Sequence, residues 1–199
     1  MTRYVVAQPT IELIEVPLPR CSSEEYAVAR LLEAVVEARL ALRFLREGLV
    51  RNAAGKAFQS WKALLAALLK LELERLKTMA RSDEEGRWLE EKAVPKVPTG
   101  RMISLALMLE RVGLGGLAFA TNTALNLHEY QYHGPDPDLA LSRYRTREEA
   151  AVNVVLLVSE VAKRVDELKT KVKPRKELDA ELEELKREVR AFVRSEGQR

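Results

Sequence analysis

From Val154 to the end of the chain, apolar residues return every three or four positions, and this spacing restricts the fold more than any other feature. Val154, Val158, Val161, Val165, Leu168 and Val172 alternate steps of four and three, the period of a helix that buries one stripe. Leu178, Leu182, Leu185, Val189 and Phe192 repeat the pattern after Pro174. A proline at that join fits the first turn of a new helix or a kink. Both runs follow a coiled-coil seam, so each needs an apolar partner. The first reads as the closing helix of a bundle, and the second as a helix that packs on that bundle or on a second chain.

The same period recurs upstream. Ser22 or Ser23 caps a helix whose first turn carries Glu24 and Glu25, where carboxylates favour the positive end of the helix dipole. Val28, Leu31, Leu32, Val35, Leu42, Leu45 and Leu49 form its apolar side, with Glu33, Glu37, Arg39, Arg43 and Arg46 opposite, and it ends near Gly48. A second helix is predicted from Asn52 to Ala80, with Ala57, Trp61, Leu64, Leu68 and Leu71 as the seam against an antiparallel neighbour. Gly55 near its start implies a close backbone approach. A short helix follows from Ser82 to Lys92, before Pro95 and Pro98 interrupt the chain. A third core helix runs to Val112 with Met102, Leu105, Leu109 and Val112 inward. Beyond a turn at Gly113–Gly116, a fourth runs from Leu117 to about Tyr132, and Gly134-Pro135-Asp136-Pro137-Asp138 stops it. A helical turn is expected around Leu139–Tyr144.

Residues 1–20 differ. Pro9, Pro17 and Pro19 prevent a helix there, so residues 1–21 read as an extended N-terminal arm. Residues 22–172 read as the bundle and 173–199 as a C-terminal coiled-coil-like helix. The fold class is all-α. With 47% apolar and 32% charged residues the chain has a folded, soluble composition. Its 33 Lys+Arg against 30 Asp+Glu leave a net charge of +3, too small to require a nucleic-acid partner. Abundant Lys, Arg and Glu beside four Asn and four Gln resemble a thermophile's surface. Cys21 is the sole cysteine. It forms no internal disulfide and points to a reducing cytoplasm. The N-terminus lacks a signal-peptide pattern, and Glu110, Arg111 and the glycine turn interrupt the most apolar stretch, so no membrane span is expected.

Residues able to carry chemistry concentrate in Leu127-His128-Glu129-Tyr130-Gln131-Tyr132-His133, which holds both histidines and two of the five tyrosines. A zinc site is not expected, because two helical ligands need a four-residue separation and Tyr132 occupies that place. No nucleophile elbow or phosphate-binding glycine loop is present. Neither a metal nor a cofactor is therefore expected. His128, with Tyr130 or Tyr132 beside it, is a candidate to line a groove between the second and fourth helices. Lys56 with Arg51 is a candidate anion-binding spot. Arg143, Arg145 and Arg147 form a short basic run able to touch a phosphate backbone.

Gly55-Lys56-Ala57-Phe58-Gln59-Ser60-Trp61-Lys62, followed by a proline-bounded helix and then Ala124-Leu125-Asn126-Leu127-His128-Glu129-Tyr130-Gln131-Tyr132, resembles the archaeal PaREP1 family over about residues 23–169. That family is grouped with HEPN-like helical bundles. The resemblance implies an antiparallel up-and-down bundle, often dimeric, and carries no assigned activity. Wider HEPN relatives include ribonucleases built on Arg-x(4–6)-His. Here the arginine positions before His128 are Thr121, Asn122 and Thr123, and those before His133 are Asn126, Leu127 and His128. Neither histidine has its arginine, so no catalytic residue is assigned. The expected role is a non-catalytic HEPN-like binding or assembly module, a homodimer whose candidate groove uses His128, Tyr130, Tyr132, Lys56 and Arg143. The alternative is an RNA-binding or RNA-processing protein, with nucleic acid or a nucleotide as ligand.

Overall fold

Two 22-residue helices, α1 (Glu25–Arg46) and α2 (Val50–Leu71), are joined by only three residues, and so short a link makes them antiparallel neighbours. They form the most extensive helix pair of the fold. The computed structural model describes residues 15–196; the greater part of the expected N-terminal arm lies outside them. Gly48 adopts φ +74° in the link, a conformation that costs glycine little. Ser60 donates its hydroxyl to the Ala34 carbonyl at 2.6 Å, fully buried, so the two backbones pass close together.

α3 (Leu73–Thr78) continues α2 after a break at Glu72. α4 (Asp83–Trp88) is capped by the Ser82 hydroxyl, which accepts from the Glu85 amide. A π-helical segment, Leu89–Ala93, and a single turn, Val94–Lys96, follow. α5 (Met102–Arg111) and α6 (Leu117–His133) form the next hairpin. α7 (Arg147–Leu168) opens with a capping box, in which the Thr146 side chain accepts from the Glu149 amide and Glu149 reaches back. α8 (Lys176–Glu196) closes the chain. The molecule is an all-helical bundle. Among the described residues no helix is long and apolar enough to cross a membrane.

The closing-helix seam is buried at Val154, Val158, Val161, Val165 and Leu168, and Val172 is half-buried. The α8 seam finds its partner within the same chain. Leu178, Leu182 and Leu185 join the single core, and α8 packs on α1 and α7. Arg39 of α1 pairs with Glu181 and Glu188, and Lys186 reaches Asp166 of α7 at 2.7 Å. Arg39 was expected on a solvated face, whereas it is a docking point for α8.

α2 is the central helix. It contacts α1, α6 and α7, and its buried residues include every position from Ala63 to Leu69. An expected stripe became burial on nearly all sides. Residues 139–144 are not helical, contrary to expectation. The Asp136 carboxylate instead accepts the amides of Asp138, Leu141 and Ser142 and organises the loop locally, as short Asp side chains do.

Candidate functional site

Because α2 is enclosed by three helices, its charged and amide side chains are confined to the strip that remains open, Ser60 alone being buried against α1. That strip carries Arg51, Asn52, Gly55, Lys56, Gln59 and Lys62, stepping along the helix at near-helical spacing. Over its first part lies a cleft of about 570 Å³, bounded also by Phe44 of α1 and by Gln131 and Tyr132 of α6.

Gly55 allows α6 to come this close. A Cβ at this position would lie 2.3 Å from Gln131 Oε1, so the glycine makes room for the amide. The amide nitrogen of Gln131 donates to His128 Nδ1 at 2.6 Å. An amide N–H only donates, so Nδ1 accepts and the neutral ring carries its proton on Nε2. The imidazole stacks on Phe58 at 4.1 Å between centroids and meets Tyr132 edge-on at 5.3 Å. Burial first, then the positive charge of Lys62, holds the His128 pKa below its ordinary value, with Glu129 opposing. His128 is therefore held as a neutral, oriented ring.

Lys56 is committed to α1. Its ammonium lies 2.9 Å from Glu37 Oε2 and 3.2 Å from Oε1. Only Oε1 meets hydrogen-bond geometry, and Oε2 has no hydrogen-bond partner among the described residues. Burial pushes the Glu37 carboxyl upward more than Lys56 draws it down, and Glu33 adds to the rise. Glu37 was expected on the solvated side of α1. It is buried because the open strip of α2 brings Lys56 against it. Arg51 donates to the carbonyls of Gln131 and Tyr132, capping the C-terminal end of α6, where free carbonyls favour a cation.

The sequence-predicted site is only partly assembled. Lys56 and Tyr132 share the cleft, and His128 stands behind Gln131 at its edge. Tyr132 is 63% exposed and Tyr130 only 1%. Two residues apart on a helix, they face different sides. Tyr130 packs edge-on against Tyr144 in the core, so its place in the groove is corrected. Arg143 lies exposed on the loop, 3.9 Å from Glu129, and does not line the cleft. Gln59, Lys62, Gln131 and Glu37 were missed. Their signal was the recurrence of polar residues at positions 52, 56, 59 and 62 within an otherwise apolar helix.

Gln59 also borders a second recess, lined by Arg30, Glu33, Lys62 and Lys96 among others. The open strip thus continues from the cleft along α2. Lys62 and Lys96 form no ion pair among the described residues. No three or more His, Cys, Asp or Glu side chains there are grouped as a metal ion would require.

No curated protein and no solved structure matches this chain. The model of the archaeal PaREP1/PaREP8 family matches residues 29–155, a span that includes the whole strip of α2 and both α6 residues of the cleft. A match over well over half of the chain places this protein in the archaeal PaREP1/PaREP8 family.

Proposed function

We propose that this protein is a non-catalytic, HEPN-like binding and assembly module, homodimeric and cytoplasmic, whose ligand site is the cleft between α2 and α6. The observation that carries the reading is that the reactive groups at the cleft already have partners. Lys56 is paired with Glu37, Arg51 with the end of α6, and His128 with Gln131 and Phe58. Groups held in this way present hydrogen-bonding and stacking surface, which suits recognition. A lone cysteine supports the reducing compartment, and the charge-rich, amide-poor composition supports a thermophilic setting.

RNA binding is the second reading, and Lys62 and Lys96 favour it. They extend the strip with cations past the cleft that holds the exposed Tyr132 ring, and a cationic groove with an exposed ring along it suits a phosphate backbone and a stacked base. One experiment separates the readings: a labelled single-stranded RNA is incubated with purified protein in a chelator and followed by gel and by anisotropy. The expected result is intact RNA. Salt-sensitive binding that weakens in Lys62→Ala would establish the RNA reading. Metal-independent cleavage abolished by His128→Ala would overturn the non-catalytic one.

A further inference from the structure

Across this surface cations sit beside carboxylates: Arg39, Lys56, Lys77, Arg164 and Lys186 each hold at least one. The recess next to the cleft is different. It measures about 190 Å³ against the cleft's 570 Å³ and lies where α1, α2 and the turn Val94–Lys96 converge. Each of the three segments sends a cation to it: Arg30 from α1, Lys62 from α2 and Lys96 from the turn. The one carboxylate of its lining, Glu33, is 2.7 Å from Arg30 and paired there. Lys62 and Lys96 pair with no carboxylate among the described residues. Like charges that face one concavity repel, and an anion between them removes the repulsion.

The fold holds these cations in place. The Arg30 side chain is only 15% exposed. It donates from Nε to the Tyr26 hydroxyl, from Nη1 to Glu33 and from Nη2 to the Pro95 carbonyl, which leaves two of its five N–H groups for a ligand. Tyr26 in turn donates to the Val94 carbonyl at 3.0 Å, so α1 clamps the turn that carries Lys96. The turn ends at Val97, buried and at φ +39°, a conformation that β-branched residues rarely adopt. Such an outlier persists where surrounding contacts dictate the backbone course. Gln59 adds an amide from α2 and borders the cleft as well.

We infer that this recess binds the oxyanion of a phosphate group, held by Lys62 and Lys96 with Arg30 behind them. Charge and size both point to that class. Three cations against one carboxylate leave an excess of two positive charges, which matches the charge of about −1.5 to −2 on a phosphate monoester at pH 7. The volume is below the roughly 300 Å³ at which small-molecule sites begin, so the recess takes one group and not a whole ligand. The cleft does not compete for the anion, because Glu37 and the carbonyls of α6 already engage Lys56 and Arg51. The inference names the phosphate subsite that the RNA reading above would use, and it stands without RNA if a small phosphate binds. The site also carries its own reporter. After burial, the charge of Lys62 is what holds the His128 pKa down, so an anion on Lys62 lets it rise.

The test is NMR of the full chain titrated with inorganic phosphate, against sodium chloride at matched ionic strength. Saturable shifts are expected at the amides of Lys62, Lys96 and Val97, with a rise in the His128 pKa that chloride does not reproduce. Lys62→Gln and Lys96→Gln should each weaken phosphate by at least about tenfold, the loss of one charge-assisted hydrogen bond. Lys163→Gln, which removes an exposed lysine of α7, should not. Melting curves control for folding, and Lys96 is exposed on a turn, so its variant keeps the test alive if Lys62→Gln is unstable. Adenosine monophosphate separates the two sources of the anion. Binding at least tenfold tighter than phosphate, with shifts reaching Tyr132, assigns the group to a larger ligand lying along the strip; equal binding assigns free phosphate. Shifts matched by chloride, indifference to both lysine variants, or binding lost in Lys56→Gln and kept in Lys62→Gln would each overturn the inference. Phosphate held through both lysines without RNA binding keeps the recess and sinks the RNA reading. RNA binding that needs Lys62, with no saturable phosphate site, does the reverse.

Discussion

α2 and α6 meet at two levels built in opposite ways. At Trp61 the contact is closed. The indole N–H donates to Thr121 Oγ1 at 2.9 Å, and both residues are fully buried. At the His128 level, one turn nearer the N-terminus of α2, the same helices meet through Gly55, Phe58, His128 and Gln131. There the contact is half open, and a cleft remains. The helices and the backbone geometry are shared, so side-chain size and polarity account for the difference. A large ring with one satisfied donor fills the first gap. A missing Cβ filled by an amide leaves the second accessible to water.

The comparison breaks most violently at Trp61. Trp61→Ala should cost about 3–5 kcal/mol in urea unfolding, since it leaves a cavity in a fully buried seam. A cost below 1 kcal/mol would show that the level is not closed. Thr121→Val should cost about 1–3 kcal/mol, because it strands the buried indole donor while keeping the side-chain shape. Equal stability of this variant would mean that the hydrogen bond is dispensable.

At the open level the expected effects are smaller and asymmetric. Lys56→Ala should cost about 1–2 kcal/mol at neutral pH by leaving the buried Glu37 carboxylate without its cation, whereas Glu37→Gln should be nearly neutral. Equal losses from the two variants would contradict the view that desolvation of Glu37 is the larger effect. Gly55→Ala should change stability by less than about 1 kcal/mol, because the atom displaced is the mobile end of Gln131 and alanine favours the helix. It should nevertheless raise the His128 pKa, read by NMR titration, by removing the donor to Nδ1.

His128 also predicts the sign of a pH effect. Its folded pKa lies below the unfolded value near 6.5, so the unfolded chain binds the proton more readily. Its stabilisation is complete above that value and is lost as pH falls from 6.5 through the folded pKa. His128→Gln should flatten the stability profile in this window and leave it unchanged at pH 8. An unaltered profile would show that the ring is not desolvated.

The helices were legible because their signals are local. Gly48, the glycine turn at 113–116 and Gly134 bound the helices where the sequence suggested, and the apolar seams of α5 and α7 are buried as their spacing required. Gly55 read as the place of a close backbone approach, whereas the group that enters is the side-chain amide of Gln131, which nothing in the sequence named. Tyr130 was misread because it shares a motif with His128 and Tyr132 while the helical period turns it into the core.

Composition and periodicity by themselves determined that this chain is a helical bundle and which stripes are apolar, since these follow from backbone sterics and from residues a turn apart. They did not determine the break of the second helix at Glu72 or the non-helical course of residues 139–144. Tertiary structure alone decided which polar residues meet. Lys56 and Glu37 are 19 positions apart, Arg51 and Gln131 80, and Arg39 and Glu181 142. Each pair exists because α2 is central: once three helices enclose it, its few polar side chains have one strip left, and whatever borders that strip becomes their partner.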